Sequence, residues 1–283
     1  VVSEFWIAII LGLVEGITEY LPISSTGHLI LFGEALQFTG EKAKSFDIVI
    51  QLGAILSVFV LYRERFSDIL FSLREDLRDP LKAAEPGIFG LAGICKLALV
   101  TGPALILAFF ARHQIKEHLF APLPVALALG VGGLLILFME RRIERRQTGH
   151  GIEELTWQQS LLIGVFQCLA LWPGMSRSAS AIIGGLWVGL SRTAAAEFSF
   201  LAAVPILTAA ALHDLVEVVR VFSFEELQLV AIGFLVSFLS ALVAMKWFIA
   251  LVSSWSLRPF AYYRLFVAAF VLIMLWMNST NGL

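Results

Sequence analysis

The sequence predicts an all-α integral membrane protein: six transmembrane helices plus two re-entrant helical hairpins, arranged as an inverted repeat. Three observations carry that expectation. Apolar residues make up 59 % of the 283-residue chain and charged residues 15 %, against roughly 45–50 % and about 25 % in soluble domains. Six runs are apolar enough and long enough to cross a hydrocarbon core, which takes about 20 residues of helix. Two further apolar runs are shorter, and each ends in a proline with serines behind it.

Residues 5–20 form the first short run. It carries Glu15 and Glu19, four apart and therefore on one helical face. Pro22 ends it, because the ring removes a backbone donor and clashes with the preceding turn. The chain is expected to turn at Pro22–Thr26 and return over 27–36, with a polar loop at 37–44. Spans follow at 45–62, which contains Gln51, at 88–111, which contains Lys96, and at 122–139. Between the first two lies a charged, proline-bounded segment, 63–86, with an amphipathic piece near 65–77. A short loop with Arg112, His113, Lys116 and His118 precedes the third. After a charged, turn-rich segment at 140–157, residues 158–172 repeat the opening pattern and end at Pro173-Gly174, with a return helix at about 178–190. Spans at 193–212, with Glu197 near its start and Pro205 inside, 229–252 and 260–277 complete one polytopic domain, 1–283.

The halves, about 1–140 and 155–283, correspond when 12–56 is laid over 164–207. Gly12 meets Gly164, Glu15 meets Gln167, and Pro22-Ile23-Ser24 meets Pro173-Gly174-Met175-Ser176 after one inserted residue. Phe46 and Ile55 then meet Phe198 and Leu207. Three spans separate equivalent points, so the halves run in opposite senses. Such repeats place a binding site near the bilayer midplane, where broken helices meet. If the prolines only kinked ordinary spans, the polar cluster behind each would face lipid.

Orientation follows from Lys and Arg in short loops. One side holds Arg63, Arg65, Arg74, Arg78, Lys82, Arg141, Arg142, Arg145 and Arg146; the other holds Arg112, Lys116 and Arg220. The first side is expected to be cytoplasmic, with the first hairpin entering from the outer face and the second from the cytoplasm. The C-terminus then falls outside. The first residues lack a basic region and a cleavage site, so no cleaved signal peptide is expected. A formal net charge of −2 without a basic patch argues against nucleic-acid binding. Cys95 and Cys168 lack metal-ligand spacing and read as packing residues. Trp157, Trp247, Trp255 and Trp276 read as interfacial anchors.

The chemistry concentrates at the hairpins. An unpaired Arg177 at membrane depth would cost about 2.5–3.5 kcal/mol, so it needs an anion from the protein or from a ligand. Its planar fork suits a phosphate. Ser176 and Ser178 can cap the following helix, Gly174 permits a tight turn, and the helix N-terminus favours an anion. Ser24, Ser25, Thr26 and Gly27 offer the same arrangement in the first hairpin. Glu15 and Glu19 side by side call for a cation, and a hard divalent ion with oxygen ligands fits them. Ser25 and His28, three apart, read as a nucleophile and its base, or His28 attacks phosphorus itself. Lys96, Lys246 and Arg264 read as snorkelling or acid-paired residues. Gln51, Gln167, Asp47 and Glu197 are candidate cavity-lining groups, and the remaining histidines read as loop or interface residues.

Glu15-Gly16-Ile17-Thr18-Glu19 with Pro22-Ile23-Ser24-Ser25-Thr26-Gly27-His28 resembles the first signature of the undecaprenyl-pyrophosphate phosphatase family, the bacitracin-resistance type. Pro173-Gly174-Met175-Ser176-Arg177-Ser178 is similar to its second. The segments Phe166–Trp172 and Glu197–Leu201 also look like family segments, so the resemblance covers essentially the whole chain. It implies dephosphorylation of undecaprenyl pyrophosphate to the monophosphate, with a divalent cation (Mg2+ or Ca2+). The family's acidic pair falls on Glu15 and Glu19, its hydroxyl on Ser25, its imidazole on His28 and its arginine on Arg177. The implied place is the bacterial inner membrane, with the site reached from the outer side. One departure is Ala181 where the family usually has threonine, with Ser180 as a candidate substitute. The competing class is a transporter or flippase of the same lipid, which would need no nucleophile. The expected partners are the polyprenyl pyrophosphate lipid and the bilayer, and a homodimer is an assembly the sequence leaves open.

Overall fold

A computed structural model describes residues 3–78, 90–144, 149–223 and 226–281. The elements there are helical: α1 (Glu4–Thr18), α2 (Ser25–Ala35), α3 (Glu41–Leu61), α4 (Arg63–Arg78), α5 (Gly90–His118), α6 (Pro122–Ile143), α7 (Trp157–Gln167), α8 (Arg177–Val188), α9 (Arg192–Val221), α10 (Glu226–Ser254) and α11 (Arg258–Asn281). Short 3-10 turns lie at Ile152–Glu154 and Cys168–Leu171. Lys82, Arg145 and Arg146 from the orientation argument lie outside the described residues, as do the side chains of Arg112, Lys116 and Arg220.

Among the described residues, five helices are long and apolar enough to cross a membrane: α3, Gly90–Ala111 of α5, α6, α10, and Arg258–Met277 of α11. The remaining expected span, 193–212, lies inside α9, a 30-residue helix that is not one of the five. The short loop expected at 112–121 is largely helix, since α5 runs on to His118. Ala111, Arg112, Gln114, Lys116 and Glu117 are good helix formers, and His113 faces Glu117 one turn on, 3.7 Å away.

Helix α1 packs on α10, α7 on α5, α6 on α11, and α3 on both α9 and α10. The first contact is close: a Cβ on Gly16 would lie 2.4 Å from the Ser237 carbonyl, so only glycine admits the two backbones at this spacing. Tyr20, Phe198, Phe200 and Phe248 form a buried aromatic centre, with Tyr20 edge-on to Phe200 at 5.2 Å and its hydroxyl donating to the Ala54 carbonyl at 2.8 Å. The outer surface is apolar as well. Phe109, Phe110, Val243, Phe266 and Trp276 are all exposed, as suits a surface solvated by lipid. Cys95, expected to pack inside, lies on this exposed side.

Three helices meet at one buried acid. Glu140 is fully buried at the end of α6 and accepts from Arg192 Nε and Nη2 at 3.0 and 2.7 Å and from the Leu257 backbone N–H at 2.9 Å. It ties α6 to the starts of α9 and α11. Breaking a buried pair costs about 3–5 kcal/mol, whereas exposed pairs contribute little. Glu140→Ala should therefore lower the melting temperature in detergent by far more than Glu144→Ala, which removes the exposed 2.7 Å pair with Arg258. Equal losses would contradict this account.

Candidate functional site

Two helical hairpins meet tip to tip. In the first, α1 ends at Thr18 and Glu19 still donates its backbone N–H to the Glu15 carbonyl. The chain turns through Pro22, and Ser24 caps α2 with its Oγ accepting from the Gly27 N–H at 3.3 Å. In the second, α7 passes through the 3-10 turn to Trp172–Met175, and Ser176 caps α8 by accepting from the Ala179 N–H at 3.1 Å. The two caps share an uncommon backbone: φ is 76° at Ser24 and 75° at Ser176. A non-glycine residue there costs on the order of 1–3 kcal/mol and needs surrounding bonds to hold it. Gly174 has φ 98°, and a Cβ on it would meet the Val125 carbonyl at 2.5 Å.

The charged groups join the tips. Arg177 donates from Nε and Nη2 to Glu19 Oε1 at 3.3 and 3.1 Å, and from Nη1 to the Ser199 carbonyl at 2.8 Å. The Ser25 hydroxyl donates to the other carboxylate oxygen, Glu19 Oε2, at 2.5 Å. Ser178 donates to the Leu21 carbonyl at 2.7 Å, a further bond from one hairpin to the other. Ser180 spends its hydroxyl on the Ser176 carbonyl at 2.8 Å and is fully buried.

The expected bond between Ser25 and His28 does not form. His28 Nδ1 lies 2.7 Å from the Ser24 carbonyl and Nε2 lies 2.7 Å from the Tyr263 hydroxyl, with the two rings nearly parallel. A carbonyl only accepts, so Nδ1 carries the proton in the neutral ring, and Nε2 accepts from Tyr263. Both nitrogens are thus occupied, Nδ1 on the carbonyl of the Ser24 cap and Nε2 on Tyr263 of α11.

A cavity of about 230 Å³ opens at the junction. The first hairpin lines it with Glu19, Ser24, Ser25 and Thr26, and the second with Gly174, Ser176 and Arg177. Gln51 and Gln167 add polar groups; Ala104, Leu105, Ile206 and Leu207 make an apolar side from α5 and α9. Gly27, His28, Ser178 and Glu15 are not among the lining residues. The first turn of a helix leaves N–H groups without intrahelical partners, and residues from the first turns of α2 and α8 line this one cavity.

Among the described residues no group of three or more His, Cys, Asp or Glu is placed to hold a metal. Two buried side chains nevertheless hold oxygens with no hydrogen-bond partner. Both carboxylate oxygens of Glu15 and the amide oxygen of Gln167 are buried without a hydrogen-bond partner. A buried carboxylate needs a proton or a cation, and hard oxygen donors suit Mg2+ or Ca2+, with Mg2+ commonly taking one or two carboxylates plus substrate phosphates.

Sequence reasoning missed two residues of α11. Tyr263 drew no expectation. Arg264 neither snorkels nor pairs with an acid: it is fully buried, and all its bonds run to backbone carbonyls, at Pro22, Gly174, Met175, Ala128 and Leu129, at 3.0–3.2 Å. The available signal was a glycine pair, Gly132-Gly133, in the helix that packs on α11.

Residues 8–270 match the family described as Bacitracin resistance protein BacA. The chain is 49 % identical to an undecaprenyl-diphosphatase of Maridesulfovibrio salexigens over 272 residues, 95 % of this chain and 98 % of the relative. It is 50 % identical to that of Nitratidesulfovibrio vulgaris strain DP4, covering 95 % and 97 %. An undecaprenyl-diphosphatase 1 of Bacillus anthracis is 41 % identical over 94 % of this chain and 96 % of its own.

The bonding of His28 sets its tautomer. Nitrogen-15 NMR of histidine-labelled protein should show a protonated Nδ1 and a bare Nε2 on His28. Tyr263→Phe should shift the Nε2 signal and cost about 1 kcal/mol of stability, as for one lost hydrogen bond. A ring protonated on Nε2 alone would contradict the bonding described.

Proposed function

The chain belongs to the bacitracin resistance protein BacA family, and from that premise we propose that it is an undecaprenyl-diphosphatase. It hydrolyses undecaprenyl pyrophosphate to undecaprenyl phosphate and inorganic phosphate, which recycles the lipid carrier of bacterial cell-wall synthesis. The observation that carries the reading is one cavity met by a serine held on a carboxylate from one hairpin and an arginine from the other.

The head group sits between the tips. Arg177 and the N-termini of α2 and α8 hold its oxygens, since positive charge and unpaired N–H groups favour phosphate. Glu19 takes the role of base, because the Ser25 hydroxyl already donates to it. Ser25 Oγ attacks the terminal phosphorus as its proton passes to Glu19. The new Oγ–P bond replaces the anhydride P–O bond, and undecaprenyl phosphate leaves. Water then attacks the phosphoserine phosphorus and the Oγ–P bond breaks; Ser25 Oγ recovers the proton from Glu19, and inorganic phosphate departs carrying both protons of the water. His28 anchors the Ser24 cap and so the position of Ser25. A divalent cation held by the unpartnered oxygens of Glu15 and Gln167, beside Glu19, would offset charge on the phosphate oxygens. Positioning and charge neutralisation are most of what phosphoryl transfer requires. The apolar side of the cavity, on α5 and α9, receives the start of the prenyl tail.

The hairpins are re-entrant, six helices cross the inner membrane when α9 is included, and the halves form an inverted repeat with the site open to the outer side. Several features support this topology. With 15 and 11 residues, α1 and α7 are too short to span a bilayer. The two serine caps share one backbone geometry at aligned positions. The packing of α1 on α10 has its counterpart in α7 on α5.

Purified protein in detergent should release phosphate from a polyprenyl pyrophosphate, and a chelator should abolish the release. Detergent removes the membrane, so release there decides for catalysis over transport alone. Arg177→Ala should lower kcat by about 10²–10³-fold, as for loss of one fixed donor. Glu19→Gln should lower it by about 10²–10⁴-fold, as for loss of a base. Acid quench during turnover should trap phosphate on Ser25. Near wild-type turnover in either variant would reject the assignment.

A further inference from the structure

Arg264 is a buried cation that the mechanism does not use. Its guanidinium carries five N–H donors, and five carbonyls accept them. Nη1 bonds the Pro22 carbonyl at 3.0 Å and the Met175 carbonyl at 3.0 Å; Nη2 bonds Gly174 at 3.0 Å and Ala128 at 3.1 Å; Nε bonds Leu129 at 3.2 Å. None of these acceptors is charged. One guanidinium therefore holds both hairpin tips, Pro22 from the first and Gly174 and Met175 from the second, against the middle of α6.

The bonded carbonyls stand directly before the two caps. Pro22 lies two residues ahead of Ser24, and Met175 one residue ahead of Ser176. These caps have the positive-φ backbone that local sequence does not favour, and they launch Ser25 and Arg177 into the cavity. The helix opposite is shaped for the cation: a Cβ on Gly132 would lie 1.9 Å from Arg264 Nη2. The preceding residue on α11, Tyr263, bonds His28 of the first hairpin.

We propose that Arg264 is a positioning residue for phosphoryl transfer: by bonding the carbonyls of both tips at once, it sets the spacing at which Ser25 and Arg177 meet one phosphate. This inference rests on the phosphatase reading above. It acts through geometry, since catalysis by positioning loses about 100-fold for a misplacement near 1 Å. A lysine keeps the charge but cannot supply five donors in a planar fork.

The test compares Arg264→Lys and Gly132→Ala with wild type, using phosphate release from a polyprenyl pyrophosphate together with hydrogen exchange of the tip amides. Gly132→Ala keeps the arginine and displaces its guanidinium. Both variants should lose about 100-fold in kcat, with KM changed by less than about threefold, because misalignment affects the transition state more than the docking of the head group. Exchange should rise at residues 24–28 and 176–179 while the melting transition stays cooperative. Guanidinium added to Arg264→Ala should restore part of the lost kcat. If Arg264→Lys does not fold, Gly132→Ala and the rescue decide. A folded variant with wild-type kcat and unchanged tip exchange overturns the proposal, as does an equal loss in kcat and stability without rescue. Absence of release from wild type would instead reject the phosphatase reading, and the exchange data would still report on the clamp.

Discussion

Glu19 gives one carboxylate oxygen to Arg177 and the other to Ser25, and the rest of the site is built outward from that bridge. Neither charge is tolerable alone once removed from water. Glu19 and Arg177 are both buried, and removing one partner of a buried pair leaves an uncompensated charge costing about 3–5 kcal/mol. The pair therefore constrains where two hairpins from opposite halves of the chain can sit. The same carboxylate that holds the arginine also accepts the hydrogen bond of the Ser25 hydroxyl.

Non-helical backbone is the second constraint. Each tip has carbonyls outside any helix, and buried carbonyls need donors. The protein answers with side-chain donors. Ser178 takes the Leu21 carbonyl, and Arg264 takes those of Pro22, Gly174 and Met175. Donors from the opposite hairpin and from α11 thus bond the tip backbone where helix bonds do not. Irregular backbone, needed to bring two helix N-termini to one cavity, is thereby compatible with fixed geometry.

Helix boundaries and the polar groups of the tips could be read from the sequence because their causes are local. Pro22 and Pro173 end helices by sterics, and Glu15, Glu19, Ser25 and Arg177 stand out against an apolar background. Partner choice could not be read the same way. Ser25 and His28 share a face by spacing, yet spacing does not rank His28 against Glu19 as the acceptor of the serine proton. The deciding residue, Tyr263, lies 235 positions away from His28 and occupies its other nitrogen. Arg264 reads from the sequence as a snorkelling or acid-paired residue rather than a clamp, because its acceptors are backbone carbonyls and carry no residue identity. Length also misled at 112–118, where strong helix formers extend α5 through the segment expected to be loop.

The central claim is that one phosphate is held between two hairpins. A structure determined with a non-hydrolysable lipid pyrophosphate analogue tests it most directly. The account predicts the terminal phosphorus within attacking distance of Ser25 Oγ, with Arg177 bonded to the same phosphate and the tail leaving along α5 and α9. A head group bound by one hairpin alone, or outside the cavity, would contradict it.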